Sequence, residues 1–517
     1  MIGRVMTVAG SRMTVGLDDA RGGREADRVG SLVKVFNGEC DVVASISEVK
    51  SHATSRDGKL LVLDLLGEIT RVAGGLAFNR GVSMYPVPGE PVLLATDDDL
   101  AAIYGKPSPA NFKVGTLYQD ATRPALIQTN DLLAKHFAIL GSTGSGKSCA
   151  LTLILSAILE EHPNAHIVLL DPHDEYACAF GELADTIRLE NLQLPFWLLN
   201  LEEAARVLIR SGSESERTSQ ALILNDAMTW ARREYRRRQH MVAPITADTP
   251  VPFRTHDLLR FINDEMGRLT KADTAAPYLR LRARVESLRN DRRFGFLFAS
   301  EEDELAQIVS RLLRAPVNGK PIAIVDLSGV PSEIADVIVS TLSRVLFDFS
   351  VWCEHEEKPP LLLVCEEAHR YVPAEEGAGF AQTVQVITQI AKEGRKYGIS
   401  LALITQRPSE LSLAALSQCG TVFALRLGSD TDQQFIARTL PDVAHGMLSA
   451  LPSLPMQQAI VSGEGAKIPM RIRFDDLPEQ RRPRSESVNF TESWQTDDAD
   501  LDFIDRGILR WRTQSRS

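Results

Sequence analysis

KHFAILGSTGSGKSCALTLILSAILEE, residues 135–161, sets a short apolar run, a glycine-rich turn and an apolar segment of helical length in immediate succession. Residues 141–148, GSTGSGKS, fit GxxxxGK[ST] at every required position, between the strand and the helix that the motif needs. The glycines let successive backbone N–H groups surround phosphates, Lys147 reaches the β and γ oxygens, and the Ser148 hydroxyl is offered to Mg2+. The nucleotide-contacting set expected from this is Gly141, Ser142, Thr143, Gly144, Ser145, Gly146, Lys147, Ser148 and Cys149, with Asp171 from a second strand. A turn that merely matches the pattern is the alternative, and the flanking elements argue against it.

Outward from this stretch, continuous apolar strands are expected at 137–140, 166–170, 322–327, 361–365, 400–405 and 421–427. Such strands, alternating with helices, make a mainly parallel sheet covered on both faces. The helix after the first is apolar nearly all round, as packing inside an α/β core demands. Residues 1–100 instead carry short β-rich runs between Gly, Asp, Asn and Pro turns and are expected to form a small β-barrel. A Pro- and Gly-rich linker is expected over 101–125, the first part of the ATPase core over 126–200, and a helical insertion over 201–310. The second part of the core follows at 311–475, then a partly disordered tail at 476–517. The fold class is α/β, a P-loop core with an N-terminal barrel.

A P-loop holds phosphate but does not activate water, so a second strand bearing carboxylates is required. LLLVCEEAH, residues 361–369, supplies it, with Glu366 placed to support the metal shell together with Ser148 and Glu367 to orient the attacking water. Asp is the usual first acid. Glu366 is one methylene longer and either contacts metal-bound water or braces Ser148; a solvated acidic turn is the competing reading. Residues 402–408, ALITQRP, end a strand on Gln406, a candidate sensor of the γ-phosphate. Residues 169–176, LLDPHDEY, put Asp171, His173 and Glu175 at the tip of a strand expected beside the P-loop strand, unless one or two of them are helix caps. Arg395, in EGRKYG, is the candidate arginine finger for a neighbouring subunit's site, with Arg426 as the alternative and a surface salt bridge as the competing reading.

The 57 Lys and Arg against 68 Asp and Glu leave a net charge of −11, which argues against coating nucleic acid by bulk electrostatics; any DNA contact is local. Basic clusters at 232–238 and 280–293 are either such contacts or ordinary solvated helix faces. No secretory signal or apolar run of membrane-spanning length is visible, so a cytoplasmic protein without a membrane partner is expected. Six cysteines without CxxC pairs suggest buried thiols rather than zinc or disulfides.

Together, KHFAILGSTGSGKS, DPHDEY, LPFWLLN, EEAHRYVP, EGRKYGISLALITQRP and QAIVSGEGAKIPMRIRF resemble the HerA ATPases, a branch of the HerA/FtsK superfamily of ring-shaped DNA translocases. The resemblance covers most of residues 1–475 and implies a RecA-like core behind a HAS-barrel-like domain. It implies ATP and Mg2+ as cofactors, and Lys147, Ser148, Glu366, Glu367, Arg395 and Gln406 in the roles given above. Lys135 stands where the family often has a basic residue, and Asp174 where Gly is common, at a turn that Gly would enter freely. It further implies a homo-oligomer, a hexamer with DNA through its central channel, and an effector enzyme or nuclease docked on the barrel side. Residues 459–474 resemble a C-terminal brace against an adjacent subunit. DNA end processing and antiphage defence both fit this reading; a nucleotide-binding ring scaffold that activates an effector without translocating is the alternative.

Overall fold

The computed structural model describes residues 1–17, 29–51, 59–73, 75–105, 110–210, 212–239, 244–270, 272–354, 358–375, 381–440, 445–484, 491, 494–495 and 501–513. Its N-terminal strands are β1 (Gly3–Ala9), β2 (Arg12–Leu17), β3 (Leu32–Phe36), β4 (Asp41–Ser51), β5 (Lys59–Val72), β6 (Gly75–Arg80) and β7 (Pro91–Leu94). They pair in the order β2-β1-β7-β3-β4-β5-β6, and a further β2–β5 ladder closes six of them into an antiparallel barrel with β6 appended. Alternation within the strands fills the interior with Met13, Val15, Val33, Val35, Leu61 and Leu63, while closure removes the exposed edges an open sheet would present.

The second sheet contains β8 (Asn111–Leu117), β9 (Pro124–Gln128), β10 (Phe137–Leu140), β11 (His166–Asp171), β12 (Ala184–Ile187), β13 (Ile322–Asp326), β14 (Leu361–Cys365), β15 (Ile399–Thr405), β16 (Thr421–Ala424), β17 (Gln458–Gly463) and β18 (Met470–Phe474). Its order is β12-β13-β11-β14-β15-β10-β16-β17-β18-β8-β9, parallel from β12 to β16 and antiparallel beyond. Successive side chains enter different cores: Phe137 and Ile139 pack with Leu151 and Ile154 of the helix Lys147–Glu161, whereas Ala138 and Leu140 pack with Val339 and Leu342 of the helix Ser332–Trp352. Burial on both faces is why these strands read as unbroken apolar runs. The α/β class and the N-terminal barrel expected from sequence are both present.

Two expectations are corrected. The stretch 101–125, expected as a linker, contains β8, whose Phe112, Val114 and Leu117 are buried and which pairs with β18; residues 106–109 of it lie outside the described residues. A strand of seven residues among Pro and Gly has too short a pattern to stand out. The strand carrying DPHDEY, β11, is not beside the P-loop strand, because β14 and β15 lie between them. Crossover connections in parallel sheets leave such gaps for strands later in the chain. Residues 459–474 continue this chain's own sheet as β17 and β18.

Residues 201–313 contain the helices Leu201–Leu208, Glu214–Gln239, Thr255–Gly267, Ala272–Asn290 and Leu305–Leu313, which extend one face's core through Leu224, Met228, Leu281 and Val285. The basic cluster at 232–238 is not a solvated face throughout. Arg232 is fully buried and donates to the carbonyls of Trp197, Leu199 and Val251, while Arg238 pairs with Asp257. In the second cluster, Arg280 pairs with Glu216 and Arg293 with Asp291. Of the tail, residues 476–484 and the helix Leu501–Thr513 are described, while 485–490 and 496–500 lie outside the described residues. Among the described residues no helix is long and apolar enough to cross a membrane.

At Gly463, φ is 125° and an added Cβ would lie 2.0 Å from the Gly420 carbonyl oxygen; Gly319, at φ 74°, has open space instead. Gly463→Ala is therefore expected to lose about 2 kcal/mol or more and Gly319→Ala about 1 kcal/mol, compared by thermal unfolding of the two variants.

Candidate active site

The turn after β10 is built for glycine. A Cβ at Gly141 would sit 2.6 Å from Ser145 Oγ and 2.9 Å from Leu425 Cβ, and Gly144 and Gly146 have φ of 71° and 100°. Neighbouring strand ends pin the loop: Gly141 N–H donates to the Thr405 carbonyl at 3.3 Å, and the Ser142 N–H and hydroxyl both donate to the Arg426 carbonyl at 2.9 Å. The loop then enters the helix Lys147–Glu161, whose first turn presents unpaired N–H groups. Lys147 folds back so that Nζ donates to the Ser142 carbonyl at 3.3 Å.

Past the end of β14, Glu366 and Glu367 are only 4% and 6% exposed, and the Glu366 N–H donates to the Leu170 carbonyl at 3.3 Å. Glu367 holds φ 52° without being glycine, backbone strain of the kind that concentrates at working sites. Around its carboxylate stand His369, with Nδ1 3.3 Å from Oε2 and 2.9 Å from Thr405 Oγ1, and His173, with Nε2 3.8 Å from Oε1. Glu366 Oε2 and Glu367 Oε2 are buried without a hydrogen-bond partner in the protein.

One cavity of about 770 Å³ is lined by Thr143, Gly144, Gly146, Lys147, Ser148 and Cys149 from the P-loop and by Glu366, Glu367, Gln406, His173 and Glu175 from three other strand ends. The glutamate strand does not adjoin the P-loop strand; β15 lies between them. That insertion places Gln406 between loop and acids, where its Oε1 accepts a hydrogen bond from the Thr143 hydroxyl. Among the oxygen donors on the lining, the Ser148 hydroxyl and the Glu366 carboxyl, with one oxygen unpartnered, suit Mg2+, an ion commonly held by one or two protein oxygens plus phosphate.

Burial, reinforced by the charge of Glu367 and opposed by Lys147, pushes the Glu366 carboxyl up to about 8. Burial also lowers the Lys147 ammonium pKa, against the pull of Glu366, Glu367 and Glu175. Both shifts reflect charges that protein dipoles alone do not satisfy, and a divalent cation with a triphosphate would reverse the logic for the acid.

Several candidates stand elsewhere. Asp171, raised to about 6 by burial, turns inward, and its carboxylate accepts from the backbone N–H groups of His173 and Tyr176 at 3.0 Å each. It braces the DPHDEY turn, in which Asp174 has φ 54°. Arg395 is exposed at the opposite end of the sheet, in a separate cavity beside Pro360 and Ile399. Arg426 follows β16 beside the P-loop, and Lys135 pairs with Glu464. Sequence reasoning missed His369, although its place two residues after Glu367 was a signal. It also missed the wall formed by Met456, Gln457, Asp475, Leu477, Arg482 and Pro483, which no motif marks.

Residues 112–346 match the domain family described as DUF87, helicase HerA, central domain. By that match the chain resembles the HerA-type ATPases. The chain is 24% identical over 493 residues to a DNA double-strand break repair helicase HerA of Pyrococcus furiosus, covering 84% of this chain and 83% of that protein. It is likewise 24% identical over 507 residues to a probable helicase of Methanocaldococcus jannaschii, covering 92% and 91%. The structure of VirB4 of Thermoanaerobacter pseudethanolicus superposes with a TM-score of 0.51 at 15% identity, covering 73% of this chain and all of that one, a likeness of fold alone.

Folded, Glu366 keeps its proton up to about pH 8; unfolded, it ionises near 4.5. The stability this contributes is full below the unfolded value and is lost as pH rises through about 8. Thermal unfolding of the nucleotide-free protein is expected to show this fall, and Glu366→Gln to flatten it.

Proposed function

We propose that the chain is a Mg2+-dependent, ATP-hydrolysing DNA translocase or helicase of HerA type, acting as a ring-shaped homo-oligomer, a hexamer, in the cytoplasm. The observation that carries this reading is the convergence of Lys147, Ser148, Glu366 and Glu367 on one cavity from strand ends more than two hundred residues apart. The DNA substrate comes from the names of the relatives, which are DNA repair helicases.

In this reading the P-loop N–H groups and Lys147 hold the β- and γ-phosphates, with Ser148 and Glu366 available to the ion. Mg2+ supplies neutralisation of the charge that develops on the phosphates. Glu367, steadied by His369 and His173, orients the attacking water. The Thr143–Gln406 hydrogen bond depends on the position of the P-loop and gives Gln406 a physical link to the γ-phosphate site. Arg395 has no access to its own chain's cavity, which supports a role as a finger in a neighbouring subunit's site. The acidic net charge is compatible with DNA in a narrow channel, since a few inward cations per subunit are multiplied around a ring. An effector enzyme or nuclease docks on the barrel side, serving end processing or antiphage defence.

Glu367→Gln is expected to bind ATP as the parent does and to hydrolyse it about a hundredfold more slowly or worse, whereas Lys147→Ala loses binding. Parent ATPase activity is expected to rise with duplex DNA, and an intact oligomer indifferent to DNA would remove the translocase reading. Arg395→Ala rings, inactive alone, are expected to recover turnover when mixed with Glu367→Gln rings, because each subunit then supplies what its neighbour lacks. Absence of recovery in rings shown to exchange subunits sinks the finger assignment.

A further inference from the structure

The wall of the cavity that faces the P-loop comes from the end of the chain. Met456 and Gln457 precede β17, and Asp475, Leu477, Arg482 and Pro483 follow β18. Backbone hydrogen bonds, a thiol and an ion pair between Lys113 and Asp475 at 2.8 Å hold this segment in place. The Asp475 N–H donates to the Val114 carbonyl at 3.2 Å, the Arg484 N–H to the Glu175 carbonyl at 3.2 Å, and the Cys178 thiol to the Arg482 carbonyl at 3.8 Å. The segment is thus fastened at one end to β8 and at the other to the DPHDEY turn, so it crosses the mouth of the nucleotide cavity rather than hanging from it.

Arg482 is the cation of this wall. Its Nε donates to the Leu477 carbonyl at 3.2 Å, which fixes one edge of the guanidinium, and it makes no ion pair among the described residues. Its neighbour Arg481 differs, because it faces Glu160 on the outer surface at 3.9 Å. The first turn of the P-loop helix lines the same cavity as Arg482. Cys149 and Arg482 share that lining; although the Cys149 side chain is exposed to the cavity, partial desolvation raises its thiol and the positive charge of Arg482 opposes that rise, as a guanidinium nearby would. The remaining charged groups on the lining, Glu175, Glu366, Glu367 and Asp475, are acids, so Lys147 alone is a thin counter-charge for a triphosphate. A guanidinium presents a planar fork of donors that matches phosphate oxygens.

We propose that Arg482 is a nucleotide-binding residue supplied in cis by the C-terminal segment, gripping the phosphates common to ATP and ADP on the Cys149 side of the cavity, so that residues 475–483 form a wall completed only by bound nucleotide. The inference rests on the P-loop reading and adds to it a second, C-terminal half of the nucleotide site.

The test is calorimetric binding of Mg2+–ATP and Mg2+–ADP to the full chain and to its Arg482→Ala, Arg482→Lys, Arg481→Ala and Lys147→Ala variants. Loss of one charge-assisted phosphate contact is expected to weaken both nucleotides about tenfold for Arg482→Ala. Arg482→Lys recovers part of that loss, because it keeps the charge and forfeits the fork, and Arg481→Ala binds as the parent. In steady-state hydrolysis, Arg482→Ala is expected to raise KM for ATP with little change in kcat, the signature of binding made equally in ground and transition states. Because Arg482 is exposed, its substitution is expected to leave the melting temperature unchanged. Arg482→Ala binding both nucleotides as the parent does, while Lys147→Ala loses them, overturns the proposal and leaves the P-loop reading intact. Weakened ATP with unchanged ADP overturns the assignment to the shared phosphates. A parent chain that binds neither nucleotide removes the P-loop reading and this proposal together.

Discussion

Two acidic side chains and a lysine amine held at the end of an apolar sheet are the constraint on which the rest of this molecule depends. Water would solvate Glu366, Glu367 and Lys147 cheaply, and the fold denies it to them; all three are buried, and two of the carboxyl oxygens lack a hydrogen-bond partner in the protein. Desolvating such groups without pairing is expensive, so the structure around them is over-determined. The glycine turn is tied to the ends of β15 and β16, Glu366 is tied to β11, and Glu367 is bent into a left-handed conformation at a cost that only the surrounding packing can sustain. A site frustrated when empty is one that a metal and a polyphosphate relieve.

The sheet explains how residues so distant along the chain reach one place. In a parallel sheet every C-terminal strand end points the same way, so β10, β11, β14 and β15 all deliver their following residues to one edge. The gap between β10 and β14 is functional space: β15 fills it and brings Gln406 against Thr143. The antiparallel extension matters for a different reason. By returning through β17 and β18 to β8, the chain carries its last described core residues around to the mouth of the cavity, where Arg482 stands. The cavity is therefore walled by both halves of the sequence.

The helical insertion shows how charge patterning misleads. A run of arginines at 232–238 looks like a surface made for phosphate, yet Arg232 is buried beneath three carbonyl oxygens and the Phe253 ring. Long guanidinium side chains can serve as internal struts when enough acceptors converge on them, and nothing local in the sequence distinguishes a strut from a contact.

Local pattern alone was enough to read the class of fold, the glycine-rich turn and the paired glutamates after an apolar strand. Each of these is a local pattern: an unbroken apolar strand records burial on two faces, and GSTGSGKS records a backbone path that only glycine permits. Strand order, the inward turn of Asp171, the contacts of His369 and the whole C-terminal wall were decided by tertiary structure alone. They depend on which strand pairs with which across gaps of hundreds of residues, and hydrophobic period carries no record of neighbours. Arg482 has no motif because its place is set by the path of the backbone from β18 to the DPHDEY turn, not by the residues that flank it.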